Sequence, residues 1–112
     1  MAQVLADTLR TKAHGAITSS YTTLGVVLAH PLRIFKLSNT TDGDLLISLD
    51  GTNNNFFLPA GGFTLYDLST NAQQTNVTDG FQLAIGTQFY VKYNTDPTEG
   101  DVWLEGLYAK GE

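Results

Sequence analysis

A chain of 112 residues holds one domain's worth of core and little room for a second. Charged residues are scarce at 15%, against about 25% in ordinary soluble domains; polarity comes instead from Thr, Ser, Asn and Gly, a mix that favours strands and turns. The net charge of -5 argues against nucleic acid and anionic membranes as partners, and the lack of cysteine excludes disulfides, thiolate metal sites and thiol catalysis.

Residues 1–20 differ in character from the remainder of the chain. Val4, Leu5 and Leu9 fall at a roughly helical spacing that Gly15 interrupts, and the local charge is +1 while residues 21–112 carry -6. An N-terminal arm that grips a neighbour is one reading; a flexible tail or a short edge helix is the other. No apolar run of signal-peptide or membrane-spanning length occurs, so a soluble, non-exported chain is expected.

From residue 21 onward the pattern is that of a single β-sandwich domain, 21–112. Residues 21–28 are rich in β-branched side chains, with Gly25 as a bulge candidate. Residues 32–39 read as a central strand because neither face is cleanly polar. The cluster 39–44 centres on Asp42-Gly43, a strong short-range hairpin signal. Residues 45–49 alternate, Asp50-Gly51 opens a turn through Asn55, and residues 56–58 form a strand that Pro59 stops. Residues 63–68 alternate with Phe63, Leu65 and Asp67 on one side. Residues 69–80 make a long polar loop suited to interaction. Strands are expected again at 81–85, 88–93 and 102–108. Seven or eight short strands at intervals of about ten residues predict an all-β, antiparallel β-sandwich of jelly-roll or immunoglobulin-like kind.

Chemistry-bearing constellations are sparse. His14 and His30 have no metal-ligand spacing, and Asp42-Gly43-Asp44 and Asp50-Gly51-Thr52-Asn53 lack the frame of a calcium loop; tight-turn chemistry accounts for both. Asp67 and Glu105 are the acids placed on strands, where pairing with Arg33 or Lys36 is expected before catalysis. Nucleophile elbows, P-loops and dinucleotide fingerprints do not occur, so no catalytic, cofactor or metal residues are assigned. Asn39-Thr40-Thr41 and Asn76-Val77-Thr78 match the glycosylation pattern but are discounted without export.

Aromatic residues carry the remaining signal. In Phe56-Phe57 and Phe89-Tyr90, adjacent side chains must point to opposite faces of a strand, so one of each pair leaves the core. Coverage by another subunit or attachment to a larger surface is the expectation, against simple scattered exposure, with Val4, Leu5, Leu9, Arg10, Phe57, Tyr90 and Trp103 as candidate interface residues.

The run His30-Pro31-Leu32-Arg33-Ile34-Phe35-Lys36-Leu37-Ser38-Asn39, followed by Asp44-Leu45-Leu46-Ile47-Ser48-Leu49-Asp50-Gly51, resembles a strand-and-hairpin pattern of small virion proteins of tailed bacteriophages. Leu58-Pro59-Ala60-Gly61, Tyr66-Asp67-Leu68, Gly86-Thr87-Gln88-Phe89-Tyr90-Val91-Lys92 and Gly100-Asp101-Val102-Trp103 extend the likeness over residues 24–108. The resemblance implies a non-enzymatic role in the virion, decorating or cementing a capsid, or connecting head to tail. It further implies homo-oligomerisation and contacts with other virion proteins through the arm 1–20 and the loop 69–80. A carbohydrate- or receptor-binding sandwich, stacking sugar on Trp103 or Tyr93, is the competing class; an enzyme would require acids converging in a cleft.

Overall fold

Gly, Pro, Asn and Asp cut the chain into short extended segments, which the computed structural model pairs into two antiparallel sheets; it describes residues 4–68 and 83–111. The first sheet is built around β9 (Asp101–Ala109) and β4 (Ile34–Asn39), which run side by side, with β7 (Phe63–Asp67) beyond β4. On its other side β9 pairs with β1 (Val4–Ala6) and then, nearer its own start, with β2 (Arg10–Ala13). The second sheet has the order β3 (Thr22–Thr23), β8 (Tyr90–Tyr93), β5 (Leu45–Ser48) and β6 (Phe56–Leu58). The two layers make the antiparallel β-sandwich that the strand spacing predicts.

Alternation explains why the layers close on each other. In β4 Phe35, Leu37 and Asn39 are buried while Ile34, Lys36 and Ser38 are half-exposed, and in β9 Val102, Leu104 and Gly106 are the buried set. Leu45, Ile47, Leu58 and Val91 answer them from the second sheet, with no surface left exposed. Burial of side chains of this size stabilises by about 1.5–3 kcal/mol each before entropy is charged against it. Phe35 sits at the middle of an aromatic cluster, its ring 5.1 Å from Tyr66, 5.6 Å from Phe89 and 6.2 Å from Phe56. Gly106 opens the space that the Leu32 side chain fills, since a Cβ there would lie 2.6 Å from Leu32 Cδ1.

Several expectations are corrected. Asp42-Gly43 turns the chain, but not into a hairpin: β4 and β5 lie in different sheets, so the turn is a crossover between layers. Its oxygens are used accordingly, with Asp42 accepting from the Thr98 backbone N–H at 2.7 Å and from the Thr98 hydroxyl. Residues 21–28 give only the two-residue β3, because Gly25 takes a positive φ of 70° and Leu24 and Leu28 turn into the core from a bent segment. Of the apolar residues near the N-terminus, Val4 and Leu5 lie on β1 and Leu9 on the link to β2, instead of on an edge helix; β-pairing to β9 supplies backbone partners that a three-residue apolar spacing could not secure for an isolated helix. Strand 32–39 begins at Ile34, Leu32 making an isolated bridge to Leu83. The loop 69–80 and its Asn76 motif lie outside the described residues, as do Phe81 and Gln82.

Gly100 marks where the chain enters β9. Its φ is +88°, and a Cβ would stand 2.2 Å from the Thr40 carbonyl oxygen. Gly100→Ala is expected to cost about 2–3 kcal/mol, through left-handed strain and displacement of the Thr40–Asp101 backbone contact. A urea titration against the unsubstituted protein measures it, and a change below about 0.5 kcal/mol would contradict the close approach.

Candidate interaction face

The outer surface of the five-stranded sheet is built from the residues that alternation pushes away from the core. On β7 these are Phe63 and Leu65, 64% and 58% exposed, so the apolar side of that strand faces outward, while Thr64 and Tyr66 face the core side. Cross-strand register then fixes the rows. Leu65 lies opposite Lys36, and Lys36 opposite Glu105; one row along, Ile34 lies opposite Leu107, which lies opposite Ala6. In the other direction Phe63, Ser38, Trp103 and Thr11 share a row. Glu105 thus stands across from Lys36 and not from Arg33.

Between β1 and β2 the pairing with β9 is interrupted, which places Thr8 and Leu9 in the row of Glu105. Leu9 is 54% exposed and forms one wall of a groove of about 370 Å³, whose other wall is Leu65 and whose floor includes Ile34, Lys36, Glu105 and Leu107. The Lys36 ammonium lies 4.8 Å above the Phe63 ring, an attraction that holds both side chains against the face. Trp103 lies flat enough for its indole N–H to donate to the Thr40 hydroxyl at 3.3 Å.

Of the sequence-derived candidates, Val4, Leu9 and Trp103 fall on this face; Val4 is 57% exposed and lies at the end of β1. Phe57 and Tyr90 are on the outer side of the opposite sheet, Phe57 exposed and Tyr90 half-buried beneath Gly51, while their neighbours Phe56 and Phe89 turn inward as strand geometry requires. Leu5 faces the other way, opposite Tyr108. Arg10 is inside the protein, 3% exposed, with its guanidinium donating to the carbonyls of Val26, Thr8 and Val27. Tyr93 packs against the core. Sequence reasoning missed Phe63, Leu65, Lys36 and Glu105 as members of one face. The signal was present in the alternation of residues 63–68, but only the register shows that its apolar side is the outer one.

Behind the groove the N-terminal segment is pinned by charge. Asp7 accepts from the Thr8 N–H, and its Oδ1 lies 3.8 Å from both Arg10 Nη2 and His30 Nδ1; the His30 ring stacks on Tyr108 with centroids 3.6 Å apart. Asp7 Oδ2 and His30 Nδ1 are buried atoms that make no hydrogen bond.

The turn acids serve as caps. Asp50 Oδ1 accepts from the Ser48 hydroxyl and from the backbone N–H groups of Thr52 and Asn53, and Oδ2 accepts from the Asn53 amide, which closes the loop between β5 and β6. These donors, the Asn53 N–H foremost, hold its carboxyl far below the usual 3.8, and the Thr98 hydroxyl does the same for Asp42 to a lesser degree. Because both folded-state values lie below the unfolded ones, the contribution is fully present above pH 3.8 and is lost as pH falls through the folded values. Urea unfolding across a series of pH values is therefore expected to show stability declining on acidification below that point. Asp50→Ala should be less stable at neutral pH and have a flatter acid limb. An unchanged slope would mean that the cap is not formed.

The fold is thus an antiparallel β-sandwich with a shallow apolar groove on one outer face, an arrangement suited to packing against another protein surface. Among solved structures, the chain is similar to one in the capsid asymmetric unit of cyanophage Pam1, at 16% identity and a TM-score of 0.50 over 96% of this chain and 85% of that one. The Dit protein of phage SPP1, described as a hub of the adsorption apparatus in phages infecting Gram-positive bacteria, aligns with 94% of this chain and 49% of its own length at 16% identity and a TM-score of 0.40. No protein-family profile and no curated protein sequence matches the chain.

Proposed function

We propose that this protein is a non-enzymatic structural component of a tailed-phage virion, and that it decorates the capsid by packing onto its neighbours. The observation that carries the proposal is the likeness in fold to a chain of a phage capsid asymmetric unit over nearly the whole of the present chain. The outer groove supports it, since an exposed apolar surface of this kind is what a cementing protein covers on assembly. In this role 69–80 acts as a contact loop, with Val4, Leu9 and Trp103 meeting the partner from one sheet and Phe57 and Tyr90 from the other, so that the segment 1–20 contributes through its outward residues on the sheet. Each contact is small, and repetition over many symmetric copies multiplies its effect.

The test is to purify particles from a culture that produces the chain, identify their proteins by mass spectrometry, and locate the chain with gold-labelled antibody. Labelling spread over the heads is the expected outcome. Labelling confined to the neck would replace decoration with a connector role, and absence from purified particles would overturn the virion assignment.

A further inference from the structure

We propose that two copies of this chain pair face to face through the outer surface of the five-stranded sheet, about a two-fold axis running along the strands between β4 and β9. The lateral order across the face is Leu9, Glu105, Lys36, Leu65 in one row and Ala6, Leu107, Ile34, Asp67 in the next. A two-fold axis in that position exchanges β9 with β4 and the Leu9 side with β7. Lys36 of each copy then faces Glu105 of the other, Leu9 faces Leu65, and Ile34 faces Leu107.

Under this one operation opposite charges and apolar walls match in the first row, and the apolar centre of the second row matches while Asp67 falls on Ala6. An axis along β4 or along β9 would instead set Lys36 on Lys36 or Glu105 on Glu105. The groove walls meet wall to wall, and the two long charged side chains on its floor reach across the centre, where each finds an opposite charge. This two-fold operation matches the groove row to itself in charge and in apolar surface together, which selects a second copy as the occupant. The central row brings one positive and one negative group from each copy, so that row does not add to the repulsion between chains that each carry -5.

Four strands about 4.8 Å apart and some 20 Å long present roughly 400 Å² per copy, about half of a standard interface, so pairing is reversible and depends on concentration. The inference goes beyond the virion role and rests on the register of the sheet and the groove on its outer face. A monomeric chain found in particles would overturn the pairing and leave the role standing. A dimer absent from particles would do the reverse.

Sedimentation equilibrium of the full chain from micromolar to millimolar concentration is the experiment. A monomer–dimer equilibrium is expected for the unsubstituted protein, and Lys36→Glu and Glu105→Lys are each expected to raise the dissociation constant at least about tenfold. An equimolar mixture of the two single variants is expected to restore dimers. Each copy then presents like charges in its own row and opposite charges to its partner, a recovery that a purely intramolecular Lys36–Glu105 pair cannot produce. Far-ultraviolet circular dichroism of each variant checks that the sandwich is intact, and Leu65→Ser provides an uncharged second variant expected to weaken pairing. A monomer throughout the range, a dimer indifferent to all three substitutions, or a mixture no tighter than its components would overturn the proposal.

Discussion

Arg10→Ala is expected to destabilise the protein by about 3–5 kcal/mol, the range for removing one member of a buried, hydrogen-bonded charge network. The guanidinium is enclosed and donates three hydrogen bonds, at 2.7 Å to Val26, 2.6 Å to Thr8 and 2.9 Å to Val27. Truncation leaves three carbonyls without a partner and Asp7 with less countercharge. It also opens a void under Gly25, whose missing Cβ is what lets the Arg10 stem pass, since a Cβ there would meet Arg10 Cγ at 2.7 Å. The side chain joins β2 to the bent segment 24–28, so its loss loosens the N-terminal strands along with the core edge.

Substitutions nearby should rank in a definite order. Arg10→Lys is expected to recover less than half of the loss, because one ammonium cannot reproduce a planar fork aimed at carbonyls in three directions. Asp7→Ala should cost less than Arg10→Ala, since Arg10 keeps its three carbonyls, and the double variant should fall well short of the sum of the two. Urea unfolding of the three single-site variants and the pair measures this. Additivity within about 0.5 kcal/mol would mean that Asp7 and Arg10 do not act as one unit.

Arg10 also shows where legibility in the sequence ended. Alternation and turn residues are local properties, and they were enough for β6, for most of β4, β5, β7 and β9, and for the two-layer architecture. Which sheet a strand joins depends on partners far along the chain. Asp42-Gly43 therefore read as a hairpin when it carries the chain from one layer to the other. The same limit governs the site: an arginine in a polar N-terminal segment looks like a surface contact until Val26 and Val27 are brought beside it. Val4, Leu9 and Trp103 were legible as candidates because their outward placement follows from alternation or from apolarity in a short segment. Lys36 and Glu105 were legible only as strand residues seeking opposite charge. Their common row with Leu9 and Leu65 is a product of register, which no local pattern encodes.

Asn39→Asp is expected to destabilise by at least about 3 kcal/mol at neutral pH, although it changes the side chain by only one donor group. Asn39 is 1% exposed at the end of β4, and its amide nitrogen donates to the carbonyls of Gly43, Leu58 and Pro59 at 2.8, 3.1 and 3.2 Å. Its oxygen accepts from the Thr41 backbone N–H and hydroxyl. One side chain thereby closes the 39–44 crossover and ties it to the strand end before Pro59. The same use of the amide in the folded state leaves the Asn39-Thr40-Thr41 motif closed to modification there. A carboxylate in this position would turn a negative oxygen toward three carbonyl oxygens, while Asn39→Ala would take the acceptor from the Thr41 N–H and leave the Gly43 and Pro59 carbonyls with only the Thr41 hydroxyl and the Gly62 N–H. The two variants separate by pH. The buried carboxyl has a folded pKa raised above its unfolded value, so the Asn39→Asp deficit is largest above the folded value and shrinks as pH falls, when the neutral acid regains one donor. The Asn39→Ala deficit should stay nearly constant over the same range. Thermal unfolding of both variants from pH 7 to pH 4 distinguishes them, and parallel pH profiles would show that the amide does not face those carbonyls.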